Sequence, residues 1–578
     1  MPTVKLTEGE RALFRLLLGV VEEEAMGTTL RVAGGWVRDK LLGAARCGGE
    51  HMVGVDNKMD VDIALDNCLG KGFAETVNRH LAKKGMKSAA VGIVSKNPEK
   101  SKHLETATMH LLGFSIDFVN LRTESYTSDS RIPNMGIGTP EDDAYRRDLT
   151  INALFYNINT GLVEDFTGRG LTDLAAGVIS TPLPAVDTLL DDPLRVLRSI
   201  RFASRFNFNM SQDLLMACKD PEVHVALAQK VSYERIGVEV DQMVRSHQPL
   251  RAFTLICDLG LAPIVFAVPP TDLLGCAAGC GLDCCDPSAP LQLDTASIFS
   301  QSLVYLKNMH HLLGDAVLAA AGIALSGDGE TAVQERRLAL YGAFLLPLAA
   351  THYWERGRDR EVSKPHPVTR YIISDALKLR ARDAEQVHRL HLSALEFQLL
   401  LRRTVGAPIT DANCAAVAPD RVEAGLVLRR VGELWRMALL LALTGDLGTQ
   451  HILDSAVRDR ADKEADEAII CAYASMGRAL EGMGLVGESP VWELKPAIDG
   501  VGIGKLLPGL PKGPVFKEIL DDQIEWILRN PYGSEGEVKE HVLHKYAQYL
   551  CPLAMTARKA TVLQQPPPQP QQQQRQRQ

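Results

Sequence analysis

Residues 31 to 65 constrain the fold more than any other stretch, because they open RVAGGWVRDKLLG and close on MDVDIAL. Val32 and Ala33 read as the end of a short buried strand, Gly34 and Gly35 let the backbone turn tightly, and a helix begins near Trp36. A turn of that kind presents backbone N–H groups and a helix N-terminus to an anion, and Arg38 adds positive charge one turn later. Downstream, Asp60 and Asp62 alternate with Met59, Val61 and Ile63, and period-2 alternation puts both carboxylates on one face of a strand. Two hard oxygen ligands beside a phosphate cradle suit Mg²⁺ held between protein carboxylates and substrate phosphates. Alone, a Gly-Gly pair before a helix is an ordinary tight turn and an Asp-x-Asp an ordinary strand end. In this order they are far more specific.

At 578 residues the chain is too long for one core, and three or four domains are expected. Hydrophobic content of 46% and charged content of 23% describe a soluble globular protein. A net charge of −8 does not announce a nucleic-acid partner, so any RNA contact must come from local basic faces. Eleven cysteines are scattered except for Cys276, Cys280, Cys284 and Cys285, which lack paired C-x-x-C knuckles and a nearby His, so reduced intracellular thiols are expected. The N-terminal stretch reads as an acid-containing amphipathic helix, unlike a signal peptide or transit sequence, and no apolar run is long enough to span a bilayer. A cytosolic or nuclear protein is expected, with a mitochondrial pool left open.

Helices are expected over 7–25 and 70–85 and strands over 89–94, 107–113 and 115–119, a small α/β head. Asp117 alternates with Ile116 and Phe118 and could lie beside the Asp60 and Asp62 strand. The polar segment 122–145, rich in Gly, Pro and Ser, reads as a long mobile loop of the kind that forms lids. In RRDLTINALFYN, Asp148 could be an ordinary helix cap. After the linker-like TPLPA, DDPLRVLRSIRFASRF begins a helix with Asp191 or Asp192 at its N-terminus and Pro193 in the first turn. Asp192, Arg195, Arg198 and Arg201 recur every three residues and share a face, while Leu194, Leu197, Ile200 and Phe202 point inward. With Arg205, four arginines in eleven residues need anions or acceptors.

That face has a chemical use. Cytosine and adenine both offer an amino donor beside a ring-nitrogen acceptor on their pairing edge, whereas uracil and guanine offer a carbonyl beside an N–H. A carboxylate next to a guanidinium fits C and A and leaves U and G with unpaired or clashing groups.

The opening stretch resembles the GG…DhD signature of the DNA polymerase beta nucleotidyltransferase superfamily, and GGWVRDKLLG is similar to the class II tRNA nucleotidyltransferases (CCA-adding enzymes) and their poly(A) polymerase relatives. The resemblance implies an α+β chain: a polymerase-beta-like head of mixed sheet and helices over 1–180, a neck with the base-recognition helix over 181–250, an all-α body over 251–450, a tRNA-binding helical tail over 451–560, and a disordered Gln/Pro-rich end over 561–578. It implies template-independent addition of C, C and A to tRNA from CTP and ATP. Asp60 and Asp62 would be catalytic and hold two Mg²⁺ ions, while pyrophosphate leaves against Gly34, Gly35 and Arg38. RRD matches the motif in which Arg147 and Asp148 contact the ribose, and DFTGRGLTDL, with Asp165, Gly168 and Asp173, matches a hinge-like segment. DDPLR resembles the EDxxR motif, which makes Asp192 and Arg195 base readers and Arg198 and Arg201 nucleotide or phosphate contacts. In class II enzymes a third acid such as Asp117 is not a firm catalytic residue.

VSYERIGVEVDQMV resembles a further motif in which Glu234 and Arg235 brace the neck. His310 and His311 read as helix surface, there being no His-Asp dipeptide in the chain. The basic segments around Arg370, Lys378, Arg380 and Arg382, and around Lys505, Lys512 and Lys517, are RNA-contact candidates; the second resembles the C-terminal region of plant-type family members. GAARCGGEHMVGVDNKM, with His51 and Asp56, is longer than the connection usual in the family and reads as a surface loop. A poly(A) polymerase-like enzyme, a CC-only or A-only enzyme, and a non-catalytic RNA-binding protein remain as alternatives.

Overall fold

The computed structural model describes residues 3–45, 61–94, 106–127, 130–276, 292–325, 329–356, 362–406, 409–410, 412–448, 460–511 and 513–550. Asp60, the 46–59 part of the long connection with His51 and Asp56, Cys280, Cys284, Cys285, Lys512 and the Gln/Pro-rich end lie outside the described residues. The chain divides into two compact units, one of Met1–Leu306 with Arg336–Gln386, the other of Lys307–Glu335 with Val387–Gln578.

In the first unit, helix α1 (Glu8–Glu23) starts on a capping box in which Thr7 and Glu10 satisfy each other's backbone N–H. Its stripe of Leu13, Phe14, Leu17 and Val20 is buried. Strand β1 (Leu30–Ala33), helix α2 (Gly35–Ala45), strand β2 (Val61–Leu65) and helix α3 (Gly70–Lys83) follow, then strands β3 (Val91–Val94), β4 (Thr106–Leu111) and β5 (Phe114–Asn120). Two further strands, treated below, precede β8 (Phe155–Asn157) and β9 (Leu162–Glu164). The sheet runs β3-β4-β5-β2-β1-β8-β9, antiparallel throughout except for β2 and β5. Parallel neighbours need a long crossover, and the segment that includes α3 supplies it. Its Phe73 meets Phe118 edge to face at 5.0 Å. The expected helices and strands of this region thus form within a few residues of their anticipated bounds.

Segment 122–145 is a correction to the expected loop. It forms an antiparallel hairpin of β6 (Arg122–Thr127) and β7 (Ser130–Ile137), then helix α4 (Pro140–Tyr145) with a capping box between Thr139 and Asp142. A ladder is built from backbone groups, and Thr123, Tyr126, Thr127 and Ile132 favour extended backbone whatever the polarity of their neighbours.

Next come α5 (Gly170–Ala176), β10 (Val178–Ile179), α6 (Ala185–Asp191), α7 (Leu194–Phe206), β11 (Asn209–Met210), α8 (Gln212–Cys218), α9 (Pro221–Lys230) and α10 (Tyr233–Val244), with β10 and β11 parallel. α7 buries Leu194, Val196, Leu197, Ile200, Phe202, Ala203 and Phe206 and ends at Asn207 in the left-handed conformation, φ 56°. The remainder is mostly helical as expected, with one addition to the all-α body. Strands β12 (Leu274–Cys276), β13 (Thr351–Arg356) and β14 (Val362–Pro367) form an antiparallel sheet in the first unit. The second unit has buried Phe397, Trp435 and Tyr473, and near the C-terminus a smaller cluster of Ile498, Ile503, Leu507, Ile519, Val542 and Tyr546. Among the described residues no helix is long and apolar enough to cross a membrane.

Candidate active site

β1 is held between β2 and β8, and its end delivers the chain into the Gly-Gly turn. Gly34 adopts φ +68°, donates its N–H to Leu154 O at 2.9 Å, and accepts from Val37 N at 3.1 Å and Arg38 N at 3.3 Å, which starts α2. The torsion requires glycine, and a Cβ there would lie 2.7 Å from Arg147 Nη1 and displace that guanidinium. α2 is seated on α1: Trp36 Nε1 donates to Glu10 Oε1 at 3.2 Å and Lys40 Nζ to Glu10 Oε2 at 2.7 Å. Burial pushes the Glu10 carboxyl up, but its bonds to Lys40 and Thr7 outweigh this and hold it below the usual carboxylate range. Arg38 is buried, bonds Asp39 and the Asn152 side chain, and lies over the Phe202 and Phe206 rings of α7 at 5.0 and 4.7 Å. Those rings stack at 5.8 Å with an interplanar angle of 8°. Arg38 therefore pins the turn to α7, a role its sequence context did not suggest.

Asp62 is exposed on β2 while Val61 and Ile63 are buried, and it sits in parallel register with Asp117 of β5. Register partners in a sheet project to the same face, so the two carboxylates are neighbours. Asp117 accepts from Thr108 Oγ1 at 2.6 Å. Ala33, Ala64, Leu121, Ala144, Ala153 and Phe155 form a small apolar floor, which brings α4 and its flanks to the Asp62 face.

At the end of α4 and just past it the charged groups interlock. Asp143 is buried and receives Arg146 Nε at 2.8 Å, Arg147 Nη2 at 2.8 Å and the Arg122 backbone N–H at 3.2 Å. Burial acts to raise its pKa, but the Arg147 and Arg146 guanidiniums beside it hold it below the ordinary value. Arg147 also donates to Asn152 O at 3.1 Å and lies over the Phe155 ring at 5.2 Å. Asp148 accepts from Leu149 N at 2.9 Å, Asn152 Nδ2 at 3.0 Å and Arg198 Nε at 2.7 Å. Desolvation opposes its charge, yet Arg198 and Asn152 prevail and bring its pKa down to about 2. It stays ionised at every pH near neutrality.

Arg198 and Asp148 are separated by 50 residues, and the same α7 face reaches back to the head again. Arg195 Nη2 donates to Arg146 O at 2.8 Å and Nη1 to Thr188 O at 3.2 Å. Asp192 accepts from Arg235 at 2.7 and 3.3 Å, and Arg201 Nε meets the buried Glu239 at 2.6 Å. The fold thus brings Gly34, Gly35, Arg38, Arg147, Asp148, Asp192, Arg195, Arg198 and Arg201 into one linked neighbourhood. Asp143, Asn152 and Glu239 belong to it and were missed. EDDAYRRD carried the signal for Asp143, three and four residues before the two arginines, and Arg235 is more than a neck brace because it fixes the Asp192 carboxylate. In the hinge-like segment, Asp165 Oδ2 accepts from Leu171 N at 2.9 Å and Asp173 Oδ2 from Thr150 Oγ1 at 2.6 Å, with Gly168 at φ +66°.

Comparison with known proteins agrees with this arrangement. Residues 30–180 match the family described as the poly A polymerase head domain. The chain is 34% identical over 561 residues to the mitochondrial CCA tRNA nucleotidyltransferase of Saccharomyces cerevisiae, covering 95% of each chain. It is 33% identical over 567 residues to the enzyme of the same name from Candida glabrata, covering 95% of this chain and 98% of that one. Its fold is similar to a solved CCA-adding enzyme in an apo form, with a TM-score of 0.55 at 21% identity over 93% of this chain and 96% of the other. With matches of that identity over nearly the full length of both chains, the chain belongs to the class II tRNA nucleotidyltransferases, the CCA-adding enzymes.

Proposed function

We propose that the linked neighbourhood is one nucleotide pocket that accepts CTP and ATP in turn and transfers C, C and A to the 3′ end of tRNA without a nucleic-acid template, releasing pyrophosphate. The observation that carries this reading is the continuous set of bonds from Asp143 and Arg147 through Asp148 and Arg198 to the Asp192 and Arg195 face. Solved enzymes of similar fold, at 18–20% identity, include complexes with ATP, CTP and tRNA, which supports it.

Nucleotidyltransferases of this family generally use divalent metal ions. The exposed Asp62 carboxylate beside Asp117 is an all-oxygen pair of donors that fits Mg²⁺, and among the described residues no nitrogen or sulfur ligand of a zinc site is gathered with it. Asp60 and Asp62 would hold two Mg²⁺ ions. Bound there, the metal would acidify the tRNA 3′-hydroxyl and offset charge on the α-phosphate. The remaining work falls to the chain. The Gly34–Gly35 turn presents the start of α2 to the departing pyrophosphate, the Gly34 N–H itself being held by Leu154 O. The Arg38 charge lies behind it. Arg147 and Asp148 address the ribose, Asp148 as an acceptor for a 2′-hydroxyl. Asp192 and Arg195 read the base, with Arg198 and Arg201 beside them toward the nucleotide and its phosphates.

The proposal divides this work over a head at 1–180, a neck at 181–250, a body at 251–450 and a tail at 451–560. Exposed Arg370, Lys378, Arg380 and Arg382 in the first unit, and Lys505 and Lys517 in the second, are the proposed tRNA contacts. The two yeast relatives are mitochondrial by name, which supports a mitochondrial pool of this chain; a cytosolic or nuclear pool belongs to the same proposal.

The deciding experiment supplies tRNA lacking its 3′ end and each labelled nucleotide. Addition of C, C and A followed by a stop is expected. A homopolymer of A would favour the poly(A) reading, and absence of incorporation would leave only RNA binding. The pocket makes a second expectation. Asp143→Asn removes the charge that two guanidiniums share, so KM for both nucleotides should rise about tenfold, the scale of one charge-assisted hydrogen bond. Asp143→Glu should restore part of it; an unchanged KM in the Asn variant would remove Asp143 from the pocket's supports.

A further inference from the structure

We propose that Cys414 and Cys471 are a redox-modification site that closes to a reversible disulfide in the second compact unit. Cys414 opens the short 3₁₀ turn Cys414–Ala416, between helices Ala381–Val405 and Arg421–Val431, and Cys471 lies on helix Arg460–Gly482. Their Sγ atoms are 2.9 Å apart. Non-bonded heavy atoms ordinarily sit at roughly 3.5–4.0 Å and a disulfide at about 2.05 Å, so the pair already stands about halfway to the bonded distance. The approach is held by a second contact one helical turn on. Ser475 Oγ donates to Ala415 O at 2.8 Å and accepts from Val417 N at 3.4 Å. Cys471 and Ser475 share a helix face, so the turn is fastened to that face at two points. Cys68 and Cys257, by contrast, neighbour the Thr28 hydroxyl and the Phe299 carbonyl.

Cys414 is buried and Cys471 half-buried, which makes Cys471 the attacking thiol. The oxidant is a small disulfide of the glutathione type. The Cys471 thiolate attacks one of its sulfurs and expels one thiol; the Cys414 thiol gives up its proton and displaces the second. Two protein thiols become one disulfide while the small disulfide becomes two thiols, and no electron is left over. The closed loop contains helices Arg421–Val431 and Trp435–Asp446. Arg421 Nε at the first of these donates to Leu528 O at 2.8 Å, so the staple also steadies a contact with the C-terminal helices.

The test uses the full-length chain, reduced, desalted and exposed to oxidised glutathione without denaturant, then alkylated and digested without reductant. The expected product is a joined Cys414–Cys471 peptide, lighter than its two reduced halves by the mass of two hydrogens and lost on reduction. The oxidised chain should melt about 5 °C higher than the reduced one. Cys471→Ser should abolish both the joined peptide and the shift. Recovery of both cysteines from the wild-type chain as separate alkylated or glutathionylated peptides would overturn the proposal, whatever the serine variant does.

Discussion

Asp62→Ala should lower nucleotide incorporation at least about 10³-fold, because a metal-held carboxylate supplies several kcal/mol of transition-state charge stabilisation. The fold should survive the change. Asp62 is exposed, whereas its neighbours Val61 and Ile63 carry the packing and its backbone remains in register between β1 and β5. The measurement is incorporation of labelled CTP into tRNA lacking its 3′ end, alongside the melting curve of the variant. Loss of activity with an unshifted melting midpoint is the expected pair of results. Appreciable turnover by the Asp60→Ala, Asp62→Ala double variant would sink the catalytic assignment.

The second large effect concerns selectivity. Arg195→Ala should weaken rejection of UTP by about 10²-fold, the worth of an unpaired polar group or two in a closed pocket. The uracil N–H that a guanidinium repels would then face nothing. Because Arg195 also satisfies the carbonyls of Thr188 and Arg146, Arg195→Lys is the companion variant, keeping charge but losing the planar fork. Incorporation of each of the four nucleotides by both variants is compared at saturating Mg²⁺. UTP rejection that stays at the wild-type level in both would argue against the base-reading role.

What could be read from the chain beforehand was whatever short-range pattern specifies. The Gly34–Gly35 turn, the alternation around Asp62 and the three-residue spacing from Arg195 to Arg201 are local, and the elements formed where that spacing put them; Asp192, expected at the head of the same helix, is extended and lies just before it. Partnership was not legible in the same way. Nothing adjacent to Glu239 points to Arg201, 38 residues earlier, and nothing near Asn152 points to Arg38. Arg38 itself reads as a cation beside a phosphate turn, and only the fold shows it buried over two phenylalanines. The β6–β7 hairpin was hidden for a different reason, since its ladder depends on backbone groups and its side chains are polar enough to resemble a loop. β12 and β13 escaped as a pair because they lie some 75 residues apart, a separation that no local period records; β14 pairs with β13 alone.

The seat of Arg38 on Phe202 and Phe206 has a thermodynamic consequence. In the proposed pocket α2 begins at the turn assigned to phosphate and α7 just after the residues assigned to the base, and one guanidinium rivets the two helices together. A triphosphate end and a base end gripped by pieces of one rigid frame are not independent binding events. Losses at the two ends should therefore combine non-additively, with the coupling energy residing in a contact that touches neither end of the nucleotide.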